Sequence, residues 1–253
     1  MRELILNADD FGWDADTCDA TIACFEGGLL TSATIMTGRP ASQQAYDYAR
    51  HNRGRFSFGL HFNMVDGHLP HAGRPSSLCT RDGRFRASHR QRVRALAWML
   101  SEDDIAREFR VQLEELRDNG VEVTHVDSHG HLHKFPIVIS ALRTELERAG
   151  LEWVRRPQNF YFTANPRQAV MNNYCQRYFN GLRHTHYYGA INHDNTDWAA
   201  RLPELLRDGI TEISVHPGYA EPWRRGETEP LVNAAALRTA LQRAGIALRR
   251  YGQ

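Results

Sequence analysis

The sequence predicts an α/β fold, a distorted or incomplete (β/α) barrel of about seven mostly parallel strands. Three observations carry that prediction. Seven short apolar runs alternate with amphipathic helical stretches, the pattern of parallel strands joined by helices. A length of 253 residues suits one such barrel and can bury a sizeable core. Acidic and histidine residues gather where apolar runs end, as they do at the C-terminal mouth of α/β barrels.

In chain order, ELILNA (3–8) reads as the first strand, and DADTCDATIACFEGG (14–28) as a helix ended by Gly27 and Gly28. TSATIMT (31–37) is a strand, ASQQAYDYARHN (41–52) a helix and RFSFGLHFN (55–63) a strand. The stretch from 65 to 96 is irregular and rich in Gly, Pro, His and Arg, which marks it as a lid or binding loop. SEDDIAREFRVQLEELRDNG (101–120) opens with a serine cap and an acidic first turn, and it stops at Gly120. Its stripe of Ile105, Phe109, Leu113 and Leu116 has helical spacing. Then come the strand VEVTHVDS (121–128), the helix FPIVISALRTELERAG (135–150), and the strands LEWVRRP (151–157), THYYGAI (185–191) and TEISVHP (211–217). EPLVNAAALRTALQRAG (229–245) is the last helix. No linker interrupts the series, so residues 1–253 read as a single domain.

Composition removes several function classes. The net charge of +1 offers no footprint for nucleic acid, and the basic runs HRQRVRAL and RRYGQ read as solvated faces. Cys18, Cys24, Cys79 and Cys175 form no CxxC pair and no disulfide framework. No apolar run approaches the ~20 residues of a membrane span. The start MRELILNADD runs straight into a strand, leaving no room for a secretory h-region. The expected compartment is the cytoplasm, with reduced thiols.

Four stretches carry chemistry. In THVDSHGHLHKFP (124–136), period two puts His125, Asp127, His129 and His131 on one strand face, with His133 following. So many polar groups need partners, so the strand must reach the barrel mouth here, and clustered His and Asp supply metal ligands. Spacing alone leaves open which of His125, His129 and His131 would ligate. In LILNADDFGWD, Asp9 and Asp10 would repel unless a cation sits between them. Adjacent positions point differently, so one can hold a metal while the other faces a water; a helix N-cap is the competing use. His61, inside FSFGLHFNM, completes a set of two imidazoles and one carboxylate, which suits a catalytic metal with open positions. His216, in ISVHPGY, ends the last apolar strand where a histidine can deliver a proton.

The order NADDFG, GLHFN, HVDSHGHLH and SVHPGY, with GLLTSATIM after the first helix, resembles the YdjC-like carbohydrate deacetylases, the family that includes chito-oligosaccharide deacetylases. The resemblance runs from Leu4 to about Leu248. It implies an incomplete barrel related to NodB-type deacetylases and a hydrolase that removes an N-acetyl group from an amino sugar or oligosaccharide. It further implies one divalent metal on Asp10, His61 and His129, Asp9 as the base that activates water, and His216 as the acid. Zinc suits that donor set, and magnesium is the other ion expected, with manganese, cobalt and nickel left open. Arg155 or Arg156 could contact substrate oxygens. Trp13, Phe62, Tyr219 and Trp223 could stack on sugar rings. Asp14 and Cys18 stand where the family shows a small polar residue and an asparagine, which bears on substrate identity. The expected partner is a small carbohydrate, with a homodimer implied by the family. Two alternatives remain: a barrel metallohydrolase acting on a phosphoester or cyclic amide, with a second metal on the extra histidines, and a non-catalytic sugar- or metal-binding relative.

Overall fold

A single long strand, β1 (Arg2–Phe11), organises the sheet. The computed structural model describes residues 1–73, 77–191 and 194–253. The remaining strands are β2 (Ser32–Ile35), β3 (Ser57–Phe62), β4 (Val123–Ser128), β5 (Trp153–Val154), β6 (Tyr187–Ala190), β7 (Gly209–Val215) and β8 (Ile246–Leu248). They lie in the order β5-β4-β3-β2-β1-β7-β6, and every pairing is parallel. Because β1 is so long, its two halves take different neighbours on one edge. β8 pairs with Arg2–Leu4 at the foot, and β2 pairs with Asn7–Phe11 at the mouth.

Among the described residues the sheet curls without closing through a regular ladder. Between β5 and β6 the contacts are a bridge from Trp153 to Arg183 and the Asn159 and Phe160 amides donating to the Tyr188 carbonyl. This is the distorted α/β barrel that the sequence predicts, with β8 as an eighth strand. β8 escapes a sequence reading because it has three residues, and two of them are exposed.

Helices pack outside the sheet. They are α1 (Ala15–Glu26), α2 (Ser42–His51), α3 (Ser88–Leu96), α4 (Glu102–Asp118), α5 (Pro136–Ala149), α6 (Pro166–Gln176), α7 (Trp198–Leu205), α8 (Pro222–Val232) and α9 (Ala235–Arg243). α4 follows its sequence signals closely: the Ser101 side chain accepts from the Asp104 amide, and Ile105, Phe109, Leu113 and Leu116 are all buried. Asp14 caps α1 by accepting from the Thr17 amide. The stretch 229–245 is not one helix, because α8 carries Pro230 near its end and the chain breaks at Asn233 before α9 restarts. The irregular stretch 65–96 contains α3 at its end, and its residues 74–76 lie outside the described residues.

The barrel interior is polar. Asn7, Ser32, Thr34, His125, Asp127, Arg155 and Glu212 are fully buried inside it. His125 lies over Gly59, its partner in the β3–β4 ladder. A Cβ added at Gly59 would meet the His125 carbonyl oxygen at 2.6 Å and its ring at 2.7 Å. Gly59→Ala is therefore expected to destabilise the fold by roughly 1–3 kcal/mol, the usual cost of overpacking. A urea unfolding curve matching the wild type would contradict that tight fit.

Candidate active site

At the C-terminal end of β1 the ladder with β2 slips between Ala8 and Phe11, and Asp10 takes a positive φ of 62°. On a regular strand Asp9 and Asp10 would face opposite sides. The bulge turns both carboxylates into the mouth, at a backbone cost of roughly 1–3 kcal/mol. Strain of that size at a non-glycine residue is typical of functional positions.

Asp10 Oδ1 lies 3.3 Å from His61 Nε2 and 2.9 Å from His129 Nδ1. His61 comes from β3, and His129 from the 3₁₀ turn His129–Lys134 that follows β4. The candidate ligand atoms of these three residues all lie within 4.8 Å of one another. A divalent ion with ~2.0–2.1 Å bonds has donor–donor edges of about 3.0–3.4 Å, close to the spacings found here. The histidines are also backed as metal ligands usually are. His61 Nδ1 faces Asp127 Oδ1 at 2.7 Å, and His129 Nε2 faces Asp66 Oδ2 at 3.3 Å. Burial alone would push the His61 pKa down, but Asp127, Asp10 and Asp9 raise it to about 10. This pocket of carboxylates demands a positive charge, which a proton or a divalent cation can supply. Asp10 is held well below the ordinary carboxylate range: burial opposes this, and His129 and His61 outweigh it. Its other oxygen accepts from Arg224 Nη2 at 2.9 Å.

Asp9 has a different partner. The fully buried Arg155 guanidinium binds both its oxygens at 2.7 Å, lies 2.5 Å from Asp127 Oδ2, and donates Nε to Glu212 at 2.8 Å. Burial would raise the Asp9 pKa, but Arg155 holds it well below the ordinary range. Asp9 and Asp10 therefore do not share one cation, as their adjacency suggests; each has its own. The grouping of Asp9, His61 and Asp127 also has metal-ligand spacing, but both of its carboxylates are already paired with Arg155. Burial raises Glu212 to about 7, with Arg155 opposing the rise.

His216, just beyond β7, presents Nε2 3.9 Å from Asp9 Oδ2. Glu227 on α8 accepts from its backbone amide at 2.6 Å and faces Nδ1 at 3.3 Å. Burial lowers the His216 pKa, but Glu227, Asp9 and Asp10 reverse the sign and raise it above 6.5. Asp9, Asp10, His61, His129 and His216 line one cleft of about 690 Å³. Ser88 and Arg92 of α3, Gln168 of α6, and Trp223 and Arg224 of α8 form its walls.

The structure separates the other sequence-predicted residues. His125 and Asp127 do share the inward face of β4, but β4 ends at Ser128, and Gly130 and His131 adopt left-handed conformations. Period two therefore stops before His129 and His131. His125 lies below the site, stacked 3.8 Å from the Tyr251 ring, with Nε2 near Ser32 and Asn7. Such burial and pairing make it a satisfied interior histidine. His131 lines the cleft and faces the Tyr188 hydroxyl at 3.4 Å, away from the three candidate ligands. His133 is buried against Ser128. Arg155 cannot meet a substrate, because it is buried and spent on three carboxylates. Arg156 points instead to the backbone carbonyl of His186. Phe62 packs on Phe109 in the core, whereas Trp13 lies against His129 and Trp223 against His216. Asp66, Arg224 and Glu227 have no local sequence signal; only the fold brings them to the site.

Residues 3–244 match the family described as YdjC-like protein. A carbohydrate deacetylase of Geobacillus stearothermophilus is 30% identical over 223 residues, which cover 87% of this chain and 81% of the relative. A carbohydrate deacetylase of Brevibacillus brevis is 28% identical over 221 residues, with 87% and 82% covered. In fold, the chain resembles the crystal structure of a proposed cellobiose-phosphate cleavage protein from Enterococcus faecalis, with a TM-score of 0.80 at 20% identity, covering 99% of this chain and 97% of that one. With nearly its whole length matched, the chain belongs to the YdjC-like protein family.

Proposed function

We propose that this protein is a metal-dependent carbohydrate deacetylase that hydrolyses the N-acetyl group of an amino sugar or oligosaccharide. The observation that carries the reading is the convergence of Asp10, His61 and His129 beside Asp9 and His216 in one cleft. The carbohydrate deacetylases among its relatives support a carbohydrate as the substrate.

In this reading Asp10, His61 and His129 hold one divalent ion; two imidazoles and one carboxylate suit zinc, with magnesium as the alternative. Bound there, it would supply Lewis acidity to the amide carbonyl and to the attacking water. Arg155 keeps Asp9 ionised, so its carboxylate can orient a water and accept its proton. Attack at the carbonyl carbon breaks the C–N bond only if the nitrogen gains a proton, since an amide anion leaves poorly. His216, whose pKa Glu227 raises, donates that proton from the neighbouring side of the cleft. The products are acetate and a free amine. Trp13 and Trp223 offer aromatic faces for a sugar ring. The four cysteines are unpaired and buried, which supports the cytoplasm as the compartment.

The test is acetate release from N-acetylated saccharides, with chelation and metal restoration. Turnover unaffected by chelation and dialysis would remove the reading. The proton donor makes a second prediction. A histidine with a raised pKa keeps its proton to higher pH than a free imidazole and loses it as pH rises through its own pKa. Activity is therefore expected to fall along an alkaline limb above 6.5. Glu227→Gln should move that limb to lower pH, since it removes the carboxylate that raises the His216 pKa. A limb that stays in place would assign it to another group.

A further inference from the structure

α3 and α6 wall the cleft, and both leave apolar side chains in solvent. Around α3, at about 100° per residue, the order is core, cleft, exposed apolar and basic. Gln91 and Ala95 are buried, Ser88 and Arg92 face the cleft, Val93 and Leu96 come next, and Arg90 and Arg94 follow. Val93 is 66% exposed and Leu96 39%, and the stripe continues past the helix through Trp98 at 48% and Met99 at 55%. Trp98 holds a positive φ of 56°, a strained conformation for a bulky residue, and it presents about half of its surface to solvent. Burial in the monomer does not compensate that strain. The Trp98 ring meets Tyr178, which meets Tyr174, so the patch runs onto α6, where Val170 is 72% exposed and Tyr174 40%. Charge along the patch has one sign. Residues 88–100 carry three arginines and no carboxylate, and α6 adds Arg167. The next carboxylates, Glu102 and Asp103, lie beyond buried Leu100.

An exposed apolar stripe with Trp and Met, bordered by arginines, is the composition of an interfacial surface element. We propose that this face docks the protein on an anionic lipid surface, with the cleft mouth turned toward it. Among the described residues no helix is long and apolar enough to cross a membrane, so attachment would be peripheral and reversible. The occupant is anionic lipid because arginine borders the stripe and the stripe adjoins the cleft-facing side of α3. Its consequence for substrate rests on the deacetylase reading: amino sugars carried on lipids would reach Asp9 and His216 from the docked face.

The experiment is cosedimentation of the full chain with vesicles of phosphatidylcholine alone or with about 30% phosphatidylglycerol, at about 0.1 M salt. The protein is expected to pellet with the anionic vesicles and to remain free with the neutral ones. Val93→Ser with Trp98→Ser and Met99→Ser should cut the bound fraction at least tenfold. Arg90→Glu with Arg167→Glu should do the same, at about fivefold per arginine removed from a lipid surface. These side chains are exposed, so both variants should keep the wild-type circular dichroism and release acetate from soluble N-acetyl sugars at the wild-type rate. Equal pelleting with and without phosphatidylglycerol, or none at all, would overturn the proposal. So would a dimer in solution that the serine variant dissociates, since a second copy would then be the occupant. Vesicle binding without acetate release would instead leave docking intact and remove the deacetylase reading.

Discussion

Asp10→Asn is expected to lower kcat/KM for acetate release by about a thousandfold or more, roughly 4 kcal/mol of transition-state stabilisation. Asparagine keeps the shape and retains an oxygen but removes the charge that faces His61 and His129 at 3.3 and 2.9 Å. The same change leaves Arg224 with Glu221 as its carboxylate partner, and the tightly bound metal should fall well below one per chain. The bulge itself should survive, because asparagine tolerates a positive φ as well as aspartate does. A steady-state comparison on one N-acetyl sugar, with metal content measured on the same samples, checks both effects. Activity within threefold of the wild type would remove Asp10 from the ligand set.

Arg155→Met is expected to act chiefly on stability. One guanidinium serves Asp9, Asp127 and Glu212, all buried, and methionine would leave three carboxylates facing one another. Breaking a buried pair from one side costs about 3–5 kcal/mol. At this chain length that corresponds to a drop in melting temperature of roughly 6–20 °C. The pH dependence has a definite sign. Asp9 is depressed in the folded state, so its pairing stabilises fully above the ordinary carboxylate range and is lost as pH falls through the depressed value. The gap between wild type and variant should therefore be widest at and above neutral pH and narrow as pH falls, because burial makes the freed carboxylates take up protons above their ordinary range. Thermal melts across that range check it, and a gap that widens in acid would contradict the role given to Arg155.

Much of the barrel is legible because its strands are short apolar runs and its helices carry stripes and caps, as α4 does with Ser101 and Ile105 to Leu116. Asp127 and His125 are legible as inward-facing by period two. The limits are tertiary. Sequence alternation cannot show the bulge that brings Asp9 and Asp10 to one side, because the bulge is a mismatch between β1 and β2. Arg155 reads as a surface or substrate-contacting arginine until β1, β4 and β7 converge on it. His125 looks like part of the histidine cluster, but Asn7, Ser32 and Tyr251, distant in sequence, satisfy it inside the barrel. Glu227, Arg224 and Asp66 come from a helix and a loop whose local patterns say nothing about chemistry.

The central claim is that one divalent cation is held at the barrel mouth by β1, β3 and the turn after β4. Anomalous diffraction from a crystal loaded with zinc tests it most directly. A single strong peak is expected about 2.0–2.2 Å from a carboxylate oxygen of Asp10 and from one ring nitrogen each of His61 and His129. A peak on His131 or His133 without Asp10, or two peaks of equal height in the cleft, would contradict it.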